Sequence, residues 1–97
     1  MSTLHVVSHS PFTDSRLDSC LRICGARDAI LLCGDGAYAL QAASAACQAL
    51  QAKGLKVFVL AEDSQARNIA VPGWAASVDY PAFVQLSIDY DKVNTWL

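Results

Sequence analysis

The sequence predicts an α/β fold: a single small doubly wound domain, with a mostly parallel sheet of about four strands flanked by helices. Three observations carry that expectation. Asp28 to Cys33 (DAILLC) and Leu55 to Ala61 (LKVFVLA) are apolar runs without polar alternation, the pattern of strands covered on both faces. The stretch between them is rich in alanine, glutamine and leucine, good helix formers, so the three segments read as a βαβ crossover. The chain has 97 residues, enough for one domain over 1–97 with one core and too few for a two-domain enzyme.

In chain order, Thr3 to Ser8 (TLHVVS) suits a first strand, which the turn signals His9-Ser10-Pro11 break. A first helix should start near Asp14 or Ser15. Asp28 to Cys33 is the second strand. Ala37 to Lys53 is the second helix, with Gly54 placed to terminate it, and Leu55 to Ala61 is the third strand. A short helical stretch over Glu62 to Ala70 follows, then a turn at Pro72-Gly73 and a brief strand around Ser77 to Asp79. The last helix runs from Pro81 to Tyr90, with proline in the first turn where it is favoured. The crossovers should be right-handed. No repeat or low-complexity tract interrupts the pattern.

Hydrophobic residues make up 54% of the chain and charged residues 16%, which excludes a disordered chain and leaves little charge to cover a surface. That balance points to a partner subunit. The net charge of -2, from nine acidic and seven basic side chains, argues against direct nucleic-acid binding. No stretch approaches the ~20 apolar residues of a membrane span, and no basic segment followed by an apolar block opens the chain, so a cytoplasmic protein with no membrane partner is expected. In such a reducing compartment the four cysteines, Cys20, Cys24, Cys33 and Cys47, are expected to be thiols.

On a helical wheel, Leu17, Leu21 and Cys24 centre the apolar face of the first helix, opposite Asp18 and Arg22, so Cys24 should be buried. Cys20 falls at the border of that face, half exposed, and is the best candidate nucleophile; the alternative is that it is a small core hydrophobe. Cys20 and Cys24, four residues apart, would suit half of a metal site, but no matching His or Cys pair follows at a zinc spacing, so no metal is expected. Cys33 ends a strand, and Cys47 shares the inner arc of the second helix with Leu40, Ala43 and Leu50; packing accounts for both. Gly34-Asp35-Gly36 stands where anions bind in open α/β sheets, yet it lacks the longer glycine pattern and the P-loop lysine, and a tight turn needs the same residues. Asp35 is placed to position a polar group. His5 and His9 read as satisfied structural histidines rather than general bases. Trp74, Trp96, Phe83 and Tyr90 either close the core or anchor a protein interface.

Together these segments resemble the DsrH/TusB family of small sulfur-relay subunits, from Leu4 to Leu97. Leu4-His5 with Ser10-Pro11-Phe12 is similar to the family's opening strand and turn. Asp35-Gly36 looks like its second-strand exit, and Leu60 with Asp63, Ala66 and Arg67 like its third. Val78-Asp79-Tyr80, Phe83-Val84 and Trp96-Leu97 look like its C-terminal signature. The resemblance implies a dimer of heterotrimers with TusC/DsrF-type and TusD/DsrE-type subunits. That complex takes persulfide sulfur from a TusA-type donor and hands it to a TusE/DsrC-type acceptor, for 2-thiolation of tRNA wobble uridine or, alternatively, for dissimilatory sulfur oxidation. It also implies that the main carrier cysteine lies in the TusD/DsrE-type partner.

The segment Ser15 to Leu21 is similar to the DsrH branch, whose first helix carries a cysteine at the position of Cys20. The resemblance therefore makes Cys20 the candidate sulfur carrier, taking a sulfane sulfur as a persulfide with Arg16 supporting the anion and with no cofactor. A non-catalytic structural subunit is the second expectation. An anion- or nucleotide-binding domain at Gly34 to Gly36 is the third, on fold analogy alone.

Overall fold

The structure, a computed structural model, describes residues 2–42 and 44–96. Ala43 and Leu97, both used in the sequence reading, lie outside the described residues. Five strands form one all-parallel sheet: β1 (Thr3–Val7), β2 (Ala29–Leu32), β3 (Lys56–Leu60), β4 (Ala75–Val78) and β5 (Lys92–Trp96), in the spatial order β4-β3-β2-β1-β5. The helices are α1 (Arg16–Ile23), α2 (Ala45–Lys53), α3 (Ala61–Ala66) and α4 (Tyr80–Asp89).

Strand alternation divides the core into two layers. Val7, Ile30, Leu32, Val57 and Val59 face one side, where they pack with Leu17, Cys20 and Cys24 of the α1 segment and Leu50 of α2. Leu4, Val6, Ala29, Leu31 and Leu60 face the other, covered by Phe83 and Leu86 of α4 and by Tyr90. Both faces of β2 are buried, which is why its sequence shows no polar alternation.

Three elements differ from the sequence expectation. The fifth strand was not expected: β5 is an edge strand whose side chains are exposed up to Trp96, so its sequence carries no apolar run. The expected helix over Ala37 to Lys53 is two elements, a 3-10 segment Gly34–Leu40 and then α2. Gln41 turns extended between them, and Ser44 restarts the helix by accepting the Cys47 N–H at 3.1 Å. The third helix stops at Ala66 instead of Ala70, because Asn68 enters the left-handed region at φ 55° and the Ile69 N–H closes back on the Ser64 carbonyl.

The expected ends at Gly54 and Pro81 hold. Gly54 caps α2 with φ 73°, and α4 carries proline in its first turn behind Asp79, which accepts the Ala82 N–H at 2.9 Å.

Candidate functional site

The residues with chemistry gather where α1 crosses the sheet beside β1. Helix α1 has only two turns, so a wheel fixes its apolar arc but not which way that arc is rotated over the strands. The sheet selects the rotation that buries Leu17 and Cys20 and leaves Leu21 half-buried. Cys20 is therefore 0% exposed, which corrects the expectation of a half-exposed thiol. Cys24, at 9%, is nearly buried, as expected.

The two sulfurs lie 3.7 Å apart, within thiol hydrogen-bond range. Burial pushes the Cys20 thiol far up, and the neighbouring Cys24 and the carboxylate of Asp28 push it further the same way. Cys24 is also raised, first by burial. Both groups are held as neutral thiols, the opposite of an activated nucleophile. Arg16, expected to support a Cys20 anion, pairs instead with Asp14.

His5 projects from β1 on the same side as Val7 and is 3% exposed. An imidazole there needs partners, and it has them. Its Nε2 lies 3.0 Å from Asp28 Oδ2, and the Trp96 indole donates to Nδ1 at 3.1 Å. Indole is only a donor, so Nδ1 carries the lone pair and the Nε2 proton goes to Asp28. The Trp96 ring leans on the imidazole, with centroids 6.1 Å apart. Asp28 also accepts the Thr3 and Gly25 N–H groups; burial alone would push its carboxyl up, but the hydrogen bonds from His5, Gly25 and Thr3 outweigh it and hold it below the usual range.

The structural reading of His5 thus stands, with an addition that sequence did not provide. His5, Cys20 and Cys24 offer ligand atoms that lie within 4.8 Å of one another. The missing half of the metal-ligand pattern comes from a strand, not from a second pair further along the chain. The available signal was a histidine at an inward position of an apolar strand, a buried polar group that had to find partners.

The other candidates separate from this cluster. Cys33 is half-buried at the end of β2 with its sulfur 3.9 Å from the Val7 carbonyl, and burial raises its thiol. Cys47 is buried on α2. At Gly34 to Gly36 the tight-turn reading holds, and the Gly34 and Gly36 N–H groups that an anion would need are already used internally. The Gly34 N–H donates to Asp63 at 2.7 Å and the Gly36 N–H to the Cys33 carbonyl at 2.9 Å. Asp35 is bound by Arg67 at 3.0 Å, and Arg67 also contacts Asp63 and the face of Tyr38. This is a tight strand-to-helix turn fastened to α3. The His9 Nδ1 lies 3.5 Å from the Ser8 hydroxyl.

A solved E. coli structure, that of the ychN protein, superposes with a TM-score of 0.78 over 98% of this chain and 99% of that chain, at 17% identity. A Thermotoga maritima protein solved by NMR matches at 0.60, covering 90% of this chain and 92% of that one, at 20% identity. These likenesses show the α/β fold. In sequence, the chain is 33% identical to a protein named TusB from Pectobacterium parmentieri, over 96% of this chain and 99% of that protein. It is 34% identical, with the same coverage, to a protein named TusB from Erwinia tasmaniensis. The family model described as DsrH like protein matches residues 9–93. On that span and those relatives, the chain belongs to the DsrH/TusB family.

Proposed function

We propose that this chain is the TusB-type subunit of a heterohexameric sulfur-relay complex in the cytoplasm. Its partners are TusC/DsrF-type and TusD/DsrE-type subunits. The complex moves persulfide sulfur from a TusA-type donor to a TusE/DsrC-type acceptor for 2-thiolation of tRNA wobble uridine. Full-length similarity to proteins named TusB supports the Tus route over dissimilatory sulfur oxidation.

Within that complex the chain acts as a structural subunit. The observation that supports this reading is the burial of Cys20, whose sulfur lies beneath the surface that a protein-borne persulfide would approach and is held as a thiol. Transfer then belongs to the TusD-type partner's thiol. An apolar outer stripe on α4, Tyr80, Val84 and Ile88, supplies surface for assembly.

The test is intact-mass spectrometry of the complex after incubation with a persulfidated TusA-type donor, for wild type and Cys20→Ser. A gain of about 32 Da, one sulfur atom, is expected on the TusD-type partner and not on this chain. A gain on this chain that disappears in Cys20→Ser makes Cys20 the carrier and overturns the structural reading. Deleting the gene should remove 2-thiouridine from tRNA; unchanged thiolation overturns the tRNA assignment in favour of sulfur oxidation.

A further inference from the structure

We propose that His5, Cys20 and Cys24 form a binding site for one divalent, thiol-seeking metal ion of the zinc class, held between β1 and α1. Their ligand atoms already lie within 4.8 Å of one another. The two sulfurs, 3.7 Å apart, stand at the separation that tetrahedral zinc imposes, since two thiolates each about 2.3 Å from the ion lie about 3.8 Å from each other. The cysteines come from one helical stretch at i and i+4 and the histidine from the neighbouring strand, so the secondary structure itself holds the three ligands.

Around that set is the support such a site needs. Asp28 is bonded to Nε2 of His5 at 3.0 Å, the carboxylate–histidine arrangement that fixes a ligating imidazole. Cys24 is 9% exposed and is followed by the exposed segment 25–27, which gives the ion a way in and water a way to a fourth position. Charge is the strongest argument. Two thiolates, a neutral imidazole and a divalent cation sum to zero, so loading adds no charge beyond that of the Asp28 carboxylate already there, whereas either thiolate alone would.

Loading is an exchange without oxidation. The ion enters as M²⁺, both thiols give up their protons to solvent, two metal–sulfur bonds form, and a ring nitrogen of His5 donates its lone pair. The ligating nitrogen is Nδ1, which gives up the hydrogen bond it accepts from the Trp96 indole, while Nε2 keeps its proton on Asp28.

The experiment uses the reduced full-length chain, in wild type and in a Cys33→Ser/Cys47→Ser variant that keeps only the two proposed sulfur ligands. Cadmium chloride is the probe, read by the ultraviolet cadmium–thiolate charge-transfer band and by native mass spectrometry. Saturation at one ion per chain, with two protons displaced, is expected in both proteins. Cys20→Ser and Cys24→Ser should each lose about half of the band and bind at least about tenfold more weakly. A band that survives intact in folded Cys20→Ser overturns the proposal, as does its absence from the folded double variant, which leaves a hydrogen-bonded thiol pair only. Should the single serine variants not fold, the double variant decides: its thermal midpoint rises with cadmium if the folded chain holds the ion, and an unchanged midpoint overturns the site. No partner subunit enters the assay, so the outcome is independent of the relay reading.

Discussion

Asp28 gathers three donors, the Thr3 and Gly25 backbone N–H groups and the His5 ring, at 3.1, 3.0 and 3.0 Å. Its folded-state value is lowered despite the opposing effect of burial, so the stability it contributes is present above its unfolded value and disappears as pH falls. Wild type should lose this contribution below about pH 4, through the carboxylate range. Asp28→Asn should cost about 1–3 kcal/mol at neutral pH and flatten that acid limb; urea unfolding at neutral pH and at about pH 3 measures both effects. An unchanged acid limb in the variant would show that another carboxylate sets it. At this scale the sequence was informative about residue types and weak about partners. Cys20 and Cys24 were readable as neighbours on one helix face, but the rotation that sealed Cys20 came from the sheet. The contacts that fix His5 reach Asp28, 23 positions on, and Trp96, 91 positions on, and no local pattern spans such distances.

Helices and strands were legible wherever their own residues decided the matter. The apolar runs of β2 and β3 and the capping signals at Gly54 and Pro81 are local, and the elements follow them. β5 was not legible, because Lys92 to Trp96 is an exposed edge that exists by pairing in parallel with β1, about ninety positions earlier. The 3-10 segment was hidden for a related reason. Gly36 lies so close to β1 that a Cβ there would sit 2.3 Å from the Val7 carbonyl oxygen, and only the folded sheet reveals that approach. Two glycines therefore have different roles, and one experiment separates them. Gly54→Ala meets no atom within 4 Å and is strained only by its φ of 73°, so it should cost about 1–2 kcal/mol. Gly36→Ala must push backbone against backbone between β1 and the 3-10 segment and should cost more, about 3 kcal/mol. Urea midpoints of the two variants should rank in that order, and equal losses would refute the close-approach account.

Across the whole molecule, the sheet order β4-β3-β2-β1-β5 leaves the two layers unequally covered. One face has α1, α2 and the 3-10 segment over a core of fully buried side chains; the other relies on α4, in which no residue is fully buried. Helix α4 turns Phe83 and Leu86 toward the sheet, while Tyr80, Val84 and Ile88, at i, i+4 and i+8, form an outward stripe exposed by 49%, 56% and 70%. A helix with apolar side chains on both sides fits burial between two bodies better than a solvent-facing role. The low charge content of the chain points the same way. In the proposed complex the occupant of that stripe is a neighbouring TusC- or TusD-type subunit. Val84→Asp and Ile88→Asp remove no contact of the single chain's core, so each should change its stability by no more than about 0.5 kcal/mol. Each should nonetheless cost most of the yield of assembled complex when co-expressed with both partners, because a carboxylate buried in an interface without a counter-charge is strongly unfavourable. Size-exclusion chromatography of the co-purified subunits, beside urea unfolding of the isolated variants, gives both numbers. Full assembly of the doubly substituted chain would place the interface elsewhere and leave α4 as a solvent-facing cover for the thinner layer.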